Sequence, residues 1–375
     1  MRVLFVCGGT AGHINPALAI AAALKKFSVT EILFVGSGRE LENKLIPDAG
    51  YRLVNIKMTG ISRGMSPKSF IRNFKTMFYL LLANKESKKL LNDFKPQAVI
   101  GTGGYICYPV LKRASKMGIR TLIHESNAVP GLTTKLLSIY VDKVLTAFPG
   151  QERFYKYPNR VLFTGTPVRE GFVPAADFFE NKKEDEKPLL ISFWGSLGAE
   201  RLNDMMPEFI KLNIAEGSFR HIHATGKGGA EILKERLFEC IEPQELPIDI
   251  DIREYIDDLP KLMAEADIVL CRAGASTVAE LIAARKPAVL VPSPYVTGNH
   301  QTYNAKELQK AGGVVMISEM DCSGELLYNT VIGLFSDKTK LKTMSEAYGK
   351  LGLSNAAEVI AEIINDEERL LQSVQ

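Results

Sequence analysis

A glycine-rich segment near the start of the chain combines a tight turn with a histidine. Residues 8–13 read GGTAGH, between the apolar run at 3–7 and a helical pattern that starts at Asn15 and Pro16. Glycines let a backbone turn closely around a ligand, and the free amides of a helix N-terminus favour an anion. His13 suits general-base chemistry because imidazole changes charge near neutral pH. The alternative is that His13 only satisfies local backbone groups.

Two further polar segments follow apolar runs in the same half of the chain. Residues 100–105 read IGTGGY and end in Tyr105, and residues 124–127 read HESN and include Glu125 and Asn127. Because the carboxyl ends of parallel strands meet at one edge of a sheet, the three segments together predict a polar binding site. Close packing of a helix on a strand, or loop capping, would explain the same residues.

The second half of the chain offers small-residue turns that suit a diphosphate. Residues 195–198 read GSLG, and residues 272–277 read RAGAST ahead of a helical pattern. Two helix N-termini could hold a diphosphate without a metal. Glu280, one helical turn after Ser276, could accept both hydroxyls of a ribose, or it could be a solvent-facing helix residue. The NHQ sequence at 299–301 supplies amides of the kind that bind sugar hydroxyls.

No metal site is predicted. Asp249 and Asp251 resemble the metal-binding DxD motif of some glycosyltransferases, but they alternate with isoleucines over 248–252, which favours the exposed face of a strand. The five cysteines are far apart and form no CxxC pair. They indicate neither a zinc site nor a disulfide framework, and a reducing cytoplasm fits them best.

Residues 61–95 form a basic, amphipathic segment. Eight Lys or Arg side chains and two acidic ones give it a local charge of +6. Its large apolar residues follow helical spacing, so the helix could lie on an anionic membrane surface. The alternative is a core helix with a lysine-rich outer face. The apolar residues are Phe70, Ile71, Phe74, Met77, Phe78, Leu81 and Leu82.

Composition excludes several classes of protein. The 375 residues are 46% hydrophobic and 24% charged, as in an ordinary globular protein. The net charge of +3 is too even for nucleic acid to be the general partner. No apolar run approaches the roughly 20 residues of a transmembrane helix, and the first run is too short for a signal peptide.

Short apolar runs alternate with helical patterns, which indicates βαβ units on parallel sheets. A charge-rich stretch at 172–188 lacks an apolar period and is interpreted as a solvated linker between two series of strands. The predicted strands are 3–7, 32–36, 52–56, 98–101, 121–124, 143–146 and 161–164, then 189–194, 221–225, 248–252, 268–271, 288–291 and 314–317.

The predicted fold is therefore α/β, with two Rossmann-like domains facing across a cleft. In such folds ligands bind outside the carboxyl ends of the strands. We place the first domain at 1–165 and the second at 166–350. A helical pattern at 355–375 could pack back on the first domain.

Six segments, in order, resemble the MurG-type family of UDP-N-acetylglucosamine transferases. The resemblance runs from Arg2 to about Ile364. The segments are GGTAGHINPALAIA at 8–21, GTGGY at 101–105, IHESNAVPGLTTKLLS at 123–138, TGTPVR at 164–169, CRAGASTVAEL at 271–281 and HQTYNAKEL at 300–308.

The resemblance implies an inverting hexosyltransferase of GT-B architecture that needs no cofactor. It would transfer GlcNAc from UDP-GlcNAc to the C4 hydroxyl of MurNAc-(pentapeptide)-diphospho-undecaprenol (lipid I), giving lipid II and UDP for peptidoglycan synthesis. Such an enzyme acts peripherally at the cytoplasmic face of the bacterial plasma membrane, in cell-wall growth and division. The alternatives are a GT-B transferase with another lipid or a soluble acceptor, a nucleotide-sugar epimerase and a non-catalytic UDP-sugar sensor.

The resemblance also implies roles for individual residues. His13, Glu125 and Tyr105 are the implied catalytic residues of the first, membrane-associated domain. His13 matches the proposed base, which Glu125 would assist, and Glu125 and Tyr105 match polar residues of the acceptor cleft. The second domain would hold most of the donor. The implied donor contacts are Thr10, Ala11, Gly12, Asn127, Arg169, Ser196, the backbone of Ile256 at the uracil, Ala275, Ser276, Thr277, Val278, Ala279 and Glu280 around diphosphate and ribose, and Gln301 at the GlcNAc.

Overall fold

The chain divides into two units, one of them discontinuous in sequence. A computed structural model describes residues 1–27, 31–60, 67–172, 186–195, 198–242, 246–351 and 355–372. One unit comprises Met1–Glu170 with Asn355–Gln375, and the other comprises Gly171–Ser354. Most of the predicted linker, at 173–185, lies outside the described residues.

The first unit is built on a seven-stranded parallel sheet of order β3-β2-β1-β4-β5-β6-β7. Its central strands are buried along almost their whole length, which explains their unbroken Val, Ile, Leu and Phe runs. The strands are β1 (Arg2–Cys7), β2 (Glu31–Gly36), β3 (Arg52–Asn55), β4 (Ala98–Gly103), β5 (Arg120–Glu125), β6 (Lys143–Thr146) and β7 (Val161–Phe163).

Six helices accompany this sheet in the described residues: α1 (Ala11–Phe27), α2 (Glu40–Asp48), α3 (Pro67–Phe94), α4 (Cys107–Lys116), α5 (Leu132–Leu137) and the C-terminal α14 (Ala356–Gln372). Helix α14 buries Ile360 and Ile364 in the same core cluster as residues of α1. Arg120 fixes its backbone by donating to the carbonyls of Ile363 and Ile364 at 2.7 and 3.0 Å.

Helix α1 begins at Ala11, four residues before the predicted start. The carbonyl of Thr10 accepts hydrogen bonds from the backbone N–H groups of His13 and Ile14 at 3.0 and 3.2 Å. The prediction was wrong because proline favours the first helical turn, which placed the start at Pro16. His13 therefore lies within the first turn of the helix rather than in the loop before it.

The second unit contains a six-stranded parallel sheet of order β10-β9-β8-β11-β12-β13. The strands are β8 (Leu189–Phe193), β9 (Arg220–Ala224), β10 (Ile250–Arg253), β11 (Ile268–Cys271), β12 (Ala288–Leu290) and β13 (Val314–Met316). The helices are α6 (Glu200–Asn203), α7 (Met206–Glu216), α8 (Ala230–Phe238), α9 (Leu259–Glu265), α10 (Ala275–Ala284), α11 (His300–Ala311), α12 (Gly324–Phe335) and α13 (Lys338–Ala347).

Each sheet reverses its strand order once, and this point determines where a ligand can bind. The reversal lies between β1 and β4 in the first sheet and between β8 and β11 in the second. Loops at the carboxyl ends of such strand pairs diverge and leave a crevice. The predicted α/β class with two Rossmann-like parts is confirmed. None of the helices in the described part of the chain has the length and apolar character to span a bilayer.

Candidate functional site

In the first unit the loops after β1 and β4 meet at the switch point. The backbone N–H of Gly8 donates to the carbonyl of Gly103 at 3.2 Å. Gly103 and Gly104 both have positive φ, of 127° and 93°. A Cβ on Gly103 would collide with the His13 ring, and one on Gly104 would collide with the carbonyl oxygen of Gly8. The GTGGY glycines are thus required by the close approach of these two loops.

His13 is held at this point by the end of β4. Its carbonyl oxygen accepts a hydrogen bond from the Thr102 hydroxyl at 2.6 Å, and its half-buried ring lies against Gly103. The first turn of α1 thereby fixes the imidazole at the carboxyl edge of the sheet. Ala11 and Gly12 of the same turn are half-buried, and Thr10 before it is exposed.

Tyr105 follows directly and remains accessible. Its side chain is 51% exposed, and its ring packs so closely on Gly60 that a Cβ there would collide with it. The phenol therefore lies at the carboxyl edge of β4, two residues after Gly103. The structure thus places Tyr105 in the loop after β4 and His13 in the first turn of α1, both at the carboxyl edge of the sheet.

Glu125 ends β5 and organises the loop that follows. Its Oε1 accepts from the backbone N–H and the side-chain amide of Asn127 at 3.1 and 3.0 Å, and its Oε2 accepts from the Gly131 N–H at 2.9 Å. These contacts support loop capping as the role of this buried carboxylate. Its implied part in catalysis stays a prediction, whereas its positioning of the Asn127 side chain is direct.

His124 is a neighbour of the site that the sequence did not mark as functional. Burial lowers its pKa, a nearby His13 lowers it further, and the Gly165 carbonyl and Glu125 partly oppose the shift. Its Nε2 lies 2.9 Å from the Gly165 oxygen and its Nδ1 lies 3.2 Å from the Ser126 hydroxyl. His124 is consequently a neutral group that orders the base of the loop beside His13.

In the second unit the loops after β8 and β9 pack together. The Gly198 N–H donates to the Gly195 carbonyl at 3.0 Å, and a Cβ on Gly198 would collide with the Thr225 oxygen. The side-chain amide of Asn203 donates to the backbone carbonyl oxygen of Thr225 at 2.9 Å. Ser196, a predicted donor contact, lies outside the described residues. The TGKGG turn at 225–229 was missed, although a glycine-rich turn between a strand and a helix is a recognisable signal.

The N-terminus of α10 follows β11 across the second switch point. Gly274 precedes the helix, and Ala275, Ser276 and Thr277 of its first turn are half-buried. The side chains of Val278 and Ala279 are buried, so this helix can offer a ligand its first-turn amides. Glu280 is only 9% exposed, which does not fit a solvent-facing helix residue.

A buried ion pair ties three neighbouring loops of this unit together. Arg272 donates to Oε2 of Glu319 at 2.6 Å and to the Val291 carbonyl at 3.0 Å. It therefore joins the residues that follow β11, β12 and β13. Sequence reasoning missed this pair because its members are 47 residues apart.

Gln301 lies at the same edge, on α11. Its Oε1 accepts from the Ser293 N–H at 2.8 Å, and Asn304 of the same helix donates to the Ala273 carbonyl at 3.2 Å. These contacts connect α11 to the loops after β12 and β11. The Gln301 amide is thus oriented by the backbone beside the start of α10.

Two more predicted donor contacts, Ile256 and Arg169, belong to other segments of the chain. Ile256 is buried shortly after β10, the edge strand of the second sheet. Arg169 is exposed and belongs to the first unit, because the division falls after Glu170 rather than at residue 165.

The DxD-like aspartates have basic partners. Asp249 lies 2.6 Å from the Lys187 ammonium, and Asp251 lies 2.7 Å from the Arg253 guanidinium. Asp249 precedes β10 rather than lying within it, so the predicted strand began two residues too early. Within the described ranges, no three His, Cys, Asp or Glu side chains are placed to hold a metal ion.

Comparison with known proteins identifies the family. Residues 3–146 match the glycosyltransferase family 28 N-terminal domain, and residues 190–362 match the C-terminal domain of the same family. A UDP-N-acetylglucosamine--N-acetylmuramyl-(pentapeptide) pyrophosphoryl-undecaprenol N-acetylglucosamine transferase of Acetivibrio thermocellus is 42% identical over 98% of both chains. The protein of the same name from Thermoanaerobacter sp. is 39% identical over 97% of this chain and 99% of its own.

A solved structure agrees with these relatives. The crystal structure of Acinetobacter baumannii MurG has a TM-score of 0.78 and 27% identity, and the match covers 97% of this chain and 99% of that one. The chain belongs to glycosyltransferase family 28 and, within it, to the MurG family of hexosyltransferases.

Proposed function

We propose that this chain transfers GlcNAc from UDP-GlcNAc to the C4 hydroxyl of lipid I, giving lipid II and UDP. One observation carries the proposal: groups suited to the reaction lie at the switch point of each sheet. These groups are His13 in one unit, and the N-terminus of α10 with Glu280 in the other. The names of the relatives supply the substrates, since both are N-acetylglucosamine transferases named for an undecaprenol-linked acceptor.

His13 is the proposed base. Its imidazole takes the proton of the acceptor hydroxyl as the oxygen forms a bond to C1 of the GlcNAc. The bond between C1 and the diphosphate oxygen breaks on the opposite face, and its electron pair leaves with UDP, so the configuration at C1 inverts. Tyr105 and Glu125 would orient the acceptor, and Glu125 would assist His13.

The second unit would hold the leaving group. Amides of residues 275–277 and the dipole of α10 stabilise the charge that arrives on the diphosphate. Glu280 accepts hydrogen bonds from the ribose hydroxyls, the backbone at Ile256 binds the uracil, and the oriented amide of Gln301 binds the GlcNAc. The other proposed donor contacts are Thr10, Ala11, Gly12, Asn127, Arg169, Ser196, Val278 and Ala279.

Incubation of the purified chain with labelled UDP-GlcNAc, with and without lipid I, tests this proposal. We expect labelled lipid II and UDP only when lipid I is present. Conversion of UDP-GlcNAc without an acceptor would indicate an epimerase, and binding without turnover would indicate a sensor. Transfer to a different lipid or a soluble acceptor in preference to lipid I would contradict the proposed acceptor.

We also propose that α3 places the chain peripherally on an anionic membrane, at the cytoplasmic face of the bacterial plasma membrane. Met77, Phe78 and Leu81 are 61%, 58% and 65% exposed, whereas Thr76 and Ala83 of the same helix are buried. The part of the apolar stripe whose side chains the structure describes, from Met77 to Leu82, therefore faces outward, unlike that of a core helix. The exposed Lys85, Lys88 and Lys89 continue the same helix with positive charge.

Charge reversal in this helix should weaken membrane binding. We expect Arg72→Glu with Lys75→Glu to reduce association with anionic vesicles by at least about tenfold, because each basic residue near such a surface contributes about 1 kcal/mol. Vesicle sedimentation measures the effect, with zwitterionic vesicles for comparison. The matched control is Lys338→Glu with Lys340→Glu on α13. Equal vesicle binding by the α3 variant and the wild type would contradict the membrane proposal.

A further inference from the structure

A buried carboxylate outside the predicted site joins the His13 loop to the neighbouring strand. Glu42, in the first turn of α2, is fully buried and accepts five hydrogen bonds. Its Oε1 accepts from the Gly9 N–H and the Ser37 hydroxyl, both at 2.7 Å. Its Oε2 accepts from the backbone N–H groups of Ser37, Gly38 and Arg39 at 2.6, 2.9 and 3.2 Å. One side chain thus connects the loops that follow β1 and β2.

Two glycines make the space for this carboxylate. A Cβ on Gly8 would lie 2.7 Å from Oε1, and a Cβ on Gly36 would lie 2.7 Å from Oε2. Gly8 directly follows β1, and Gly36 is the last residue of β2. A larger residue at either position would displace the carboxylate. The ends of both strands are therefore shaped around Glu42.

The bond to Gly9 goes beyond capping of α2. A glutamate in the first turn of a helix commonly accepts from the backbone N–H of the N-cap residue, and the bond from Arg39 does this. The bonds from Ser37 and Gly38 extend this contact into the loop after β2. Gly9 belongs to a different loop, 33 residues earlier in the chain. Its N–H is also one of the amides that an anion-binding turn would offer to a ligand, and Glu42 already occupies it.

We propose that Glu42 is a positioning residue for the transfer reaction. By fixing Gly9 it sets the turn at 8–10 and thus the first turn of α1, in which the His13 ring lies against Gly103. This role rests on the proposed function, because it matters only if His13 acts on the acceptor hydroxyl. A shift of about 1 Å in a reacting group can cost about a hundredfold in rate.

Glu42→Gln separates the two halves of the network. The glutamine side chain should turn its oxygen toward the three backbone N–H groups of residues 37–39, because this orientation preserves more hydrogen bonds than the opposite one. The new NH₂ group then faces the Gly9 N–H, where two donors cannot bond, and the Ser37 hydroxyl, which can accept instead. The variant therefore removes the link to Gly9 and leaves the α2 cap in place.

Two controls isolate this link. Glu40→Gln makes the same charge change on an exposed residue in the same helical turn. Ser37→Ala removes one bond to Oε1 but leaves the Gly9 bond. In a second test variant, Gly8→Ala, the added methyl group would displace Oε1 of Glu42 while Glu42 itself is unchanged.

For Glu42→Gln and Gly8→Ala we expect kcat to fall by about tenfold to a hundredfold per folded molecule, with the KM for UDP-GlcNAc unchanged. Amide exchange at Gly9, followed by hydrogen–deuterium exchange, should be faster in both. Glu40→Gln and Ser37→Ala should match the wild type in rate and exchange. Thermal unfolding of each variant gives the folded fraction for this correction.

Two results would overturn the proposal. One is wild-type kcat per folded molecule in either test variant. The other is unchanged exchange at Gly9 in Glu42→Gln. Gly9 exchange needs no substrate, so it tests the link even if the wild-type chain transfers no GlcNAc, a result that would refute the proposed function instead.

Discussion

Replacement of His13 by alanine is expected to lower kcat by about a hundredfold to ten-thousandfold, the usual contribution of a positioned base. UDP affinity should change far less, because Glu280 and the α10 amides that would hold the nucleotide belong to the other unit. Steady-state assays with labelled UDP-GlcNAc give kcat, and isothermal titration calorimetry gives the affinity for UDP. The combination separates loss of the base from loss of donor binding.

The control for this experiment keeps the hydrogen-bonding capacity at the same position. His13→Gln retains a polar side chain but cannot take up the hydroxyl proton, so it should be as slow as the alanine variant. Recovery of most of the rate by glutamine would assign His13 to orienting the acceptor rather than to proton transfer. An unchanged kcat in His13→Ala would rule out the base role.

The architecture could be predicted from the sequence because its strands are parallel and largely buried. Such strands appear as unbroken apolar runs separated by helical patterns. Each of the thirteen predicted runs overlaps a strand in the described part of the chain. The run at 3–7, for example, became β1 at the centre of its sheet, where both faces are covered.

Boundaries were less predictable because tertiary contacts set them. The alternation at 248–252 suggested that Ile248 faces the core, yet Ile248 is fully exposed. Pairing with β9 begins at Ile250, opposite His221. Similarly, Pro16 suggested a helix start that the Thr10 carbonyl overrides by capping an earlier turn.

The residues that carry the chemistry were recognisable, whereas those that hold them in place were not. His13 and Glu280 lie in short motifs next to predicted strand ends. In the sequence, Glu42 looks like any exposed glutamate in a first helical turn. Only in the folded chain does the N–H of Gly9 donate to its carboxylate. The Arg272–Glu319 pair depends in the same way on three strands being neighbours. Contacts between distant segments of the chain leave no local pattern to detect.

Acid should destabilise the second unit through a buried pair of histidines. His221 and His223 are fully buried and share the Ser192 hydroxyl, at 2.7 and 2.6 Å. Burial lowers the pKa of His221 well below 6.5, and the nearby His223 lowers it further. Burial also lowers the pKa of His223, to about 3, and a hydrogen bond to the backbone of Ser192 partly opposes this shift. The His223 imidazole is therefore neutral in the folded chain at pH 5, and burial disfavours the charged form of His221 as well.

The direction of the pH effect follows from these depressed pKa values. Below about pH 6.5 the unfolded chain binds protons that the folded chain does not bind. The free energy of unfolding therefore decreases as the pH is lowered. His223 should remove about 2 kcal/mol between pH 7 and pH 5, and His221 should add to the loss in the same direction. Trp194, the only tryptophan of the chain, is buried with its ring centroid 6.1 Å from that of His223. Its fluorescence during urea unfolding therefore reports on this unit.

Variants at two histidines provide the comparison. His223→Gln should reduce the pH-dependent loss by about 2 kcal/mol, since its amide does not titrate in this range. His300→Gln, at the half-buried start of α11, should keep the full loss. A wild-type unfolding free energy that is equal at pH 7 and pH 5 would show that these histidines are protonated in the folded chain. A pH dependence shared by His223→Gln and the wild type would show that other groups cause it.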